Sequence, residues 1–260
     1  MVLIDIMKKL KNDILEYCRF DWTNDFDAYK DFFHITIKAV YDVESVVITN
    51  PILAKMFKKI KNMINLVAMI ANRDLTGNNL CDTLKIALYK LRSITNKKYV
   101  IVCDALGFHD VLFILYKFHE RPTEIFYGIN PGGVTRTFEF IIKTCPALQH
   151  TIIRKEKITL ADVKRAITSI IYGSGEEFRD IDNAIMKSPE FSNFDDIVNY
   201  LYQPVSILVN KIEKYLHTNN NVFIIADHGY DINLHKMKLE HCWKSDVFTL
   251  SILVPMVIIR

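Results

Sequence analysis

The second part of the chain contains three short, nearly continuous runs of apolar residues, at 99–103, 221–226 and 250–259. Strands buried on both faces of a parallel sheet have this pattern, because neither face meets water. Helical periodicity occupies much of the sequence between the runs. Alternation of strands with helices is typical of a parallel sheet covered by helices on both faces. The pattern therefore predicts an α/β fold with three layers and a mainly parallel sheet.

The first 96 residues have a different pattern, in which apolar residues recur every three or four positions. This period places apolar side chains on one face of a helix. Asn50 and Pro51 favour a helix start, by capping and by fixing the first turn. Helices are predicted near residues 4–17, 26–39, 51–64 and 79–91. The chain is therefore divided into a helical N-terminal region, 1–96, and an α/β domain, 97–260.

Two more helices are predicted in the second part of the chain. Thr159 and Asp162 have the spacing of a capping box, and Gly173 suits the end of the helix that follows, with a flexible loop directly after it. A longer helix is expected from about residue 195 to residue 217. Pro204 is expected to kink or divide this longer helix, since proline removes a backbone donor.

Candidate metal ligands follow two of the apolar runs. Asp227 and His228 end the second run, and Asp104 ends the first. Open α/β folds bind ligands at the carboxyl ends of their strands, and carboxylate oxygen and imidazole nitrogen both suit zinc. Gly229 lets the backbone turn without a side chain crowding the ion. The alternative interpretation is a strand-to-loop turn in which Asp227 and His228 are solvated.

A turn-rich stretch at 130–137 leads into a segment with helical character at 138–143. This arrangement puts the hydroxyl of Thr135 at or near a helix N-terminus. Unpaired backbone N–H groups and the helix dipole favour an anionic group at such a position. The alternative interpretation is that Thr135 serves only as an N-cap residue.

The order of five features along the chain resembles that of the alkaline phosphatase superfamily. These features are the strand ending at Asp104, the helix-start threonine, the strand ending at Asp227, the later His241 and the proline-containing last strand. Within that superfamily the chain looks most like a PglZ domain. The resemblance covers residues 99–260, and the tetrapeptide Ala226-Asp227-His228-Gly229 carries most of it. The apolar C-terminal run is similar to the last core strand of that family. The resemblance implies a sheet of the alkaline phosphatase type.

Carried over residue by residue, the resemblance implies that four residues hold one divalent ion: Asp104, Thr135, Asp227 and His228. Thr135 would also be the nucleophile, because coordination to a cation stabilises its deprotonated hydroxyl. Thr137 is the reserve nucleophile, and Arg136 would clamp a phosphoryl oxygen. The alternative for Arg136 is a solvent-facing position on the first helical turn.

A second ion of the family would bind Asp180 or Asp182 together with His241. The family pattern has a histidine after this aspartate, but no histidine follows either candidate before the next long helix. His235 is the available substitute. The glycine pair that follows the late histidine in the family is replaced by Cys242-Trp243, whose thiol is a soft competing ligand. Four other histidines are expected on surfaces or helix ends: His109, His119, His150 and His217.

The implied activity is metal-dependent hydrolysis of a phosphomonoester or phosphodiester, with nucleotides and oligonucleotides among the candidate substrates. Zinc is the first-choice metal, manganese suits the same oxygen-rich ligands, and one or two ions would bind. The first alternative is a catalytically inactive PglZ-like module that binds partner proteins in a signalling or defence system. The second is a nucleotide-binding α/β protein, although Gly132-Gly133 matches neither a P-loop nor a dinucleotide-binding motif.

Composition and charge agree with this assignment without requiring it. The formal net charge of +3 is too small to indicate nucleic-acid binding through overall charge. The five cysteines are widely spaced and form no CxxC pair, which favours a reducing compartment. The apolar run at the start of the sequence is shorter than that of a signal peptide. No uninterrupted apolar run in the sequence is long enough to span a membrane. We therefore expect a cytoplasmic protein that does not bind a membrane.

Overall fold

The computed structural model describes residues 22–44, 46–48, 51–71, 78–148, 157–218, 220–241 and 250–260. The predictions for the helix at 4–17, for the cap at Asn50, for His150 and for Cys242-Trp243 lie outside these residues. The elements, in chain order, are α1 Asp25–Tyr41, α2 Pro51–Ala71, α3 Asn78–Ser93, β1 Lys98–Cys103, α4 Phe108–Lys117, β2 Thr123–Ile129, α5 Thr135–Thr144, α6 Leu160–Ile171, β3 Ser174–Phe178, α7 Asp180–Met186, α8 Phe194–His217, β4 Asn221–Ala226, β5 Asp231–Asn233, β6 Lys238–Glu240, a 3₁₀ turn Leu250–Ile252 and β7 Leu253–Ile259.

The main sheet has five strands in the order β2-β7-β4-β1-β3. Strand β1 runs parallel to both of its neighbours, β4 and β3. Strand β7 runs antiparallel to β2 and to β4, so the sheet is mixed. The α/β prediction is confirmed, and the C-terminal run does join the sheet. Its direction could not be read from its composition, because an apolar run has the same pattern in either direction.

Helices cover both faces of this sheet, and the alternation of side chains along each strand explains how. In β1, Ile101 and Cys103 point into a core shared with α1, α2, α4 and α8. Val100 and Val102 point into a second core on the opposite face, shared with α3, α5 and α6. The strand is apolar at successive positions because each face of the sheet packs against helices.

The N-terminal helices pack on the same sheet. Helices α1 and α2 contribute to the first core, together with β1 and β4. Helix α3 contributes to the second core, on the other face. The helical character predicted for this region is confirmed in its described part. The division of the chain at residue 97 remains a prediction, although the two regions bury their apolar residues together.

Strand β3 is a correction to the flexible loop expected after α6. It pairs with β1 at the edge of the sheet, where Gly175 lies opposite Val100. A Cβ at Gly175 would come within 2.4 Å of the Val100 carbonyl oxygen, so this glycine permits a close approach of backbones. Edge strands carry polar residues, and for this reason the acidic sequence of β3 does not have the pattern of a buried strand.

The start, stop and proline signals predicted for two helices can be compared with α6 and α8. Thr159 and Asp162 form the predicted capping box at the start of α6. The helix ends at Ile171, and the left-handed residue after it is Tyr172, with φ 53°, where the sequence had suggested Gly173 as the stop. Helix α8 runs through Pro204 as one continuous helix, so of the two expected effects of this proline, a kink or a division, the division does not occur. Within the described residues, no helix is both long and apolar enough to cross a membrane.

Candidate metal centre

The pairing of β1 with β4 brings two distant aspartates together. These strands are adjacent and parallel, and their last paired residues are Cys103 and Ala226. Asp104 and Asp227 come next in the chain, so both carboxyl groups leave the sheet at its carboxyl-terminal edge. This is the edge at which open α/β sheets bind their ligands.

Backbone hydrogen bonds hold the two loops after these strands against each other. The Asp227 Oδ1 atom accepts from the backbone N–H of Ala105 at 3.0 Å and from that of His228 at 2.9 Å. The N–H of Leu106 donates to the carbonyl of His228 at 2.9 Å. Ala105 has φ 64°, a conformation that costs free energy for residues other than glycine. The contacts of its N–H with Asp227 help to maintain this strained turn directly after Asp104.

Gly229 lies where another segment of backbone comes very close. A Cβ at this position would be 2.4 Å from the carbonyl oxygen of Leu250 and 3.5 Å from that of Leu106. The Gly229 N–H donates to the carbonyl of Ser251 at 2.9 Å. The sequence interpretation, in which this glycine leaves space for an ion, is therefore incomplete. The space is taken up by the segment that leads into β7.

Substitution of Gly229 by alanine is expected to destabilise the protein. The added methyl group would meet the Leu250 backbone, which has no flexible end that could move aside. We expect the free energy of unfolding to fall by about 1–3 kcal/mol, the range for overpacked sites. Urea unfolding of the metal-free variant measures this change, and an unaltered midpoint would contradict the close packing described here.

Three ligand atoms converge at this edge of the sheet. One atom each from Asp104, Asp227 and His228 lies within 4.8 Å of the others. The Nε2 atom of His228 is 3.4 Å from Asp227 Oδ2 and 3.8 Å from Asp104 Oδ1. Asp227 and His228 are 0% and 1% exposed, and Asp227 Oδ2 has no hydrogen-bond partner. A buried carboxylate oxygen without a partner carries a large desolvation cost, which a cation would remove.

The orientation of the His228 ring also suits a metal ligand. Its Nδ1 atom is 2.7 Å from the carbonyl oxygen of Gly229 and donates to it. This hydrogen bond fixes the tautomer and leaves the lone pair of Nε2 directed at the two carboxyl groups. Histidines that bind metals usually donate their second ring N–H in this way.

Thr135 completes the cluster. Its hydroxyl oxygen is 3.4 Å from Asp104 Oδ1 and 3.3 Å from Nε2 of His228. The N-cap of α5 is Val134, so Thr135 is the first helical residue and its hydroxyl does not cap the helix. The N-cap alternative is therefore wrong. Thr137, the reserve nucleophile, instead packs against Gly132, where an added Cβ would come within 2.0 Å of the Thr137 hydroxyl oxygen.

The electrostatics of the cluster favour a positive ion. Burial, together with the charges of Asp227 and Asp182, raises the pKa of Asp104 to about 6. The charges of His228 and Arg179 oppose this shift but do not cancel it. Carboxylates that repel each other at short range are relieved by a bound cation, which is often the largest local charge in such a site.

Asp182 and His241 lie beside this cluster. The Nε2 atom of His241 is 2.9 Å from Asp182 Oδ1, and its ring centroid is 4.9 Å from that of His228, with the two rings perpendicular. Burial lowers the pKa of His241, but hydrogen bonding to Asp182 and the surrounding negative charges outweigh this effect and raise the pKa. The Nδ1 atom of His241 is buried without a partner.

Two other candidates for the second ion lie elsewhere. Asp180 is exposed at the start of α7 and lines a groove of about 720 Å³ with residues of α8. His235 is exposed in the turn between β5 and β6. The sequence could not decide between Asp180 and Asp182. The structure places Asp182 beside the cluster, in contact with His241, and leaves Asp180 exposed.

Two arginines flank the centre. Arg136 is exposed on the first turn of α5. Arg179 directly follows β3, and the N–H of Asp104 donates to the preceding carbonyl, that of Phe178, at 2.8 Å. The Arg179 guanidinium is 2.8 Å from Glu177 Oε2, and 55% of its side chain is exposed. The sequence interpretation overlooked Arg179, because its position beside Asp104 depends on the pairing of β3 with β1.

His109 is a further correction. The sequence suggested a surface position, but His109 is 1% exposed and lies in a buried polar cluster with Asp110 and Tyr230. Burial lowers its pKa, so the ring is neutral at pH 7. Its helix begins at Phe108, inside the first core, and every residue of that helix from Phe108 to Leu115 is buried.

A search of protein-family models found no match to this chain, and a search of curated proteins found none either. The chemistry of the cluster must therefore be argued from the geometry of its side chains. Within the described residues, Asp104, Asp227 and His228 form a group that can hold a metal ion.

Proposed function

We propose that this protein is a metal-dependent phosphoesterase in which Asp104, Asp227 and His228 hold a divalent cation and Thr135 is the nucleophile. The observation that carries the proposal is the position of the Thr135 hydroxyl, within 3.4 Å of Asp104 and within 3.3 Å of His228. This hydroxyl does not cap the helix, whose N-cap is Val134, and it lies against two of the side chains that would hold the cation.

Zinc is the metal that we propose for this site, with manganese as the alternative. One nitrogen and two or more oxygens form a donor set that zinc accepts readily, while manganese also accepts oxygen-rich sites. When bound, the cation would lower the pKa of the Thr135 hydroxyl and neutralise charge on a phosphoryl group. Asp182 and His241 are the residues that would hold a second ion.

The chain's own residues account for the steps of hydrolysis. The oxygen of Thr135 forms a bond to phosphorus, and the ester oxygen leaves with the electron pair of the broken bond. The hydroxyl proton has an acceptor in Asp104 Oδ1, at 3.4 Å. This proton passes to the leaving oxygen, which departs as an alcohol. Water then attacks the phosphothreonine and gives one proton to the threonine oxygen, which releases phosphate or a phosphomonoester and restores the hydroxyl.

Two features of the chain favour an anionic substrate at this position. Thr135 opens helix α5, and the N–H groups of a first helical turn together with the helix dipole attract negative charge. Arg179 supplies a guanidinium at the carboxyl-terminal end of β3, the strand beside Asp104. Substrates of the phosphoric ester class, nucleotides and oligonucleotides among them, are therefore proposed. Membership of the PglZ branch of the alkaline phosphatase superfamily is part of the same proposal.

The second candidate function is a non-catalytic relative that binds partner proteins. It is favoured by the incomplete second half of the centre, where Asp182 and His241 are paired with each other at 2.9 Å. An ion pair between these side chains gives Asp182 and the Nε2 atom of His241 a partner without a metal, while Nδ1 of His241 stays without one. In this alternative the cluster at Asp104 is structural.

Metal analysis combined with hydrolysis assays separates the two candidates. The purified protein is expected to retain zinc after dialysis and to hydrolyse a chromogenic phosphodiester or phosphomonoester in a reaction that a chelator stops. Restoration by zinc or manganese identifies the metal that supports activity. Protein that binds no divalent metal and hydrolyses neither substrate would favour the binding module.

Arg179 is expected to bind the phosphoryl group. Substitution by alanine should lower kcat/KM by about ten- to hundredfold, since a hydrogen bond to a charged group contributes roughly 1.5–3 kcal/mol. Arg179→Lys should recover part of the loss, because lysine keeps the charge but not the paired donors of the guanidinium. Arg136→Ala is the comparison variant, with a smaller effect expected. Equal kinetics for Arg179→Ala and the unmodified protein would exclude this role.

A further inference from the structure

A buried polar cluster lies directly behind the two loops of the candidate centre. The Asp110 side chain is 0% exposed and accepts three hydrogen bonds: from the hydroxyl of Tyr29 at 2.9 Å, from that of Tyr230 at 2.9 Å and from the N–H of Gly107 at 2.7 Å. The three donors restrain both oxygens of this buried carboxyl group, because Oδ1 accepts from Tyr29 and Oδ2 accepts from Tyr230 and Gly107.

Two of these donors belong to the loops that carry the metal ligands. Gly107 stands three residues after Asp104, and Tyr230 stands two residues after His228. A Cβ at Gly107 would lie 2.8 Å from Cζ of Tyr230, so the loops touch at this point with no free space between them. Asp110 therefore joins the loop after β1 to the loop after β4.

His109 extends the cluster by one hydrogen bond. Its Nε2 atom is 2.7 Å from the hydroxyl oxygen of Tyr230, and its Nδ1 atom is buried without a partner. The Tyr230 proton is directed to Asp110, so the neutral ring donates from Nε2 to the tyrosine oxygen. The ring of Tyr230 is then fixed at its hydroxyl from two sides.

Helix α1 reaches the same loops through two tyrosines. Tyr29 donates to Asp110, as described above. Tyr41, the last residue of α1, donates to Asp231 Oδ1 at 3.3 Å, and its hydroxyl oxygen accepts from the N–H of Ile232 at 3.1 Å. The same Asp231 oxygen accepts from the N–H of Leu250 at 2.7 Å. The N-terminal helical region is thus tied by side-chain hydrogen bonds to Asp110 and to the start of β5, which begins three residues after His228.

We infer that Asp110 and Tyr230 are positioning residues for the candidate metal centre, and that helix α1 takes part in positioning through Tyr29. This inference rests on the proposed function, since it assigns to the cluster the task of holding Asp104 and His228 at the distance that a cation needs. Residues beyond the direct ligands commonly fix ligand orientation and contribute to metal affinity.

Calorimetric titration of metal-free protein with zinc tests the inference. Tyr230→Phe and Asp110→Asn are each expected to weaken zinc binding by about tenfold, the lower end of the effect known for residues that orient ligands. Tyr29→Phe is expected to act in the same direction. Tyr127→Phe is the matched control, because the Tyr127 side chain is 3% exposed and its hydroxyl has no hydrogen-bond partner. Zinc affinity should not change in this control.

A second measurement on the metal-free proteins separates positioning from a merely structural role. Proton–nitrogen correlation spectra of the imidazole rings report whether His228 carries its proton on Nδ1. Tyr230→Phe and Asp110→Asn should shift the His228 ring signals, whereas Tyr127→Phe should leave them in place. The fold of each variant is checked by its circular dichroism.

The outcomes distinguish this inference from the proposed function. If the unmodified protein binds zinc, and the folded variants bind it equally well with unshifted His228 signals, the positioning role is overturned and the proposed function stands. If the unmodified protein binds neither zinc nor manganese while the His228 signals move only in the cluster variants, the phosphoesterase proposal fails and the cluster still sets the geometry of the loop. If neither metal binds and no signal moves, both are overturned.

Discussion

Replacement of Asp227 is expected to remove zinc binding almost completely. Asp227 Oδ2 is buried, has no hydrogen-bond partner and lies 3.4 Å from Nε2 of His228. Loss of this oxygen would leave one carboxyl group and one imidazole from the cluster of three. We expect zinc affinity to fall by more than about 100-fold in Asp227→Asn, beyond the effect of changing a residue that only orients a ligand.

Asparagine is the better substitution because Asp227 also has a structural task. Its Oδ1 atom accepts from the N–H groups of Ala105 and His228, and an amide oxygen can keep both hydrogen bonds. Asp227→Ala would lose them and lower stability as well. Asp162→Ala is the control, since it breaks the capping box of α6 and lowers stability without reaching the centre. Equal zinc affinity of Asp227→Asn and the unmodified protein, measured by calorimetry, would exclude Asp227 as a ligand.

Thr135→Ala is expected to abolish hydrolysis while zinc binding survives. The variant loses the only hydroxyl assigned to the attack, and removal of a nucleophile typically lowers kcat by about three orders of magnitude or more. The cluster of Asp104, Asp227 and His228 remains, so the zinc content of the purified protein should remain close to that of the unmodified protein. A chromogenic substrate assay and metal analysis of the same sample measure the two effects together.

Two matched variants make this result specific. Thr135→Ser keeps a hydroxyl at the first position of α5 and should keep most of the activity. Thr137→Ala changes a threonine two positions further along the same helix, which packs against Gly132 and lies outside the cluster. Its activity should stay near that of the unmodified protein. Full activity of Thr135→Ala would show that a different group, water included, attacks the phosphorus.

The residues of the centre that lie at strand ends could be predicted from the sequence. β1 and β4 are buried on both faces, so they appear as continuous apolar runs, and the aspartates after them had to leave the sheet at the same edge. The position of Thr135 followed in the same way from the turn residues before α5. The sequence did not show whether Thr135 caps the helix. The N-cap is defined by backbone angles, and these place Val134, one residue earlier, in that position.

Other features depend on long-range packing and had no local signal. The choice between Asp180 and Asp182 requires the orientation of α7, and the position of Arg179 requires the pairing of the polar edge strand β3. The buried polar cluster was missed because His109 and Asp110 begin a helix, where polar residues are ordinarily solvated. Side chains from distant segments, Tyr29, Phe33 and Tyr230 among them, pack around these two residues and make them part of the interior.

The proposed centre requires that side chains just after β1 and β4 and at the start of α5 meet around one cation. The measurement that tests it most directly is an anomalous difference map at the zinc absorption edge, from crystals soaked with zinc. We expect a peak within about 2.0–2.2 Å of oxygens of Asp104 and Asp227 and of Nε2 of His228, with the Thr135 hydroxyl beside it. A map with no peak between these side chains, at a zinc concentration that saturates binding in solution, would contradict it.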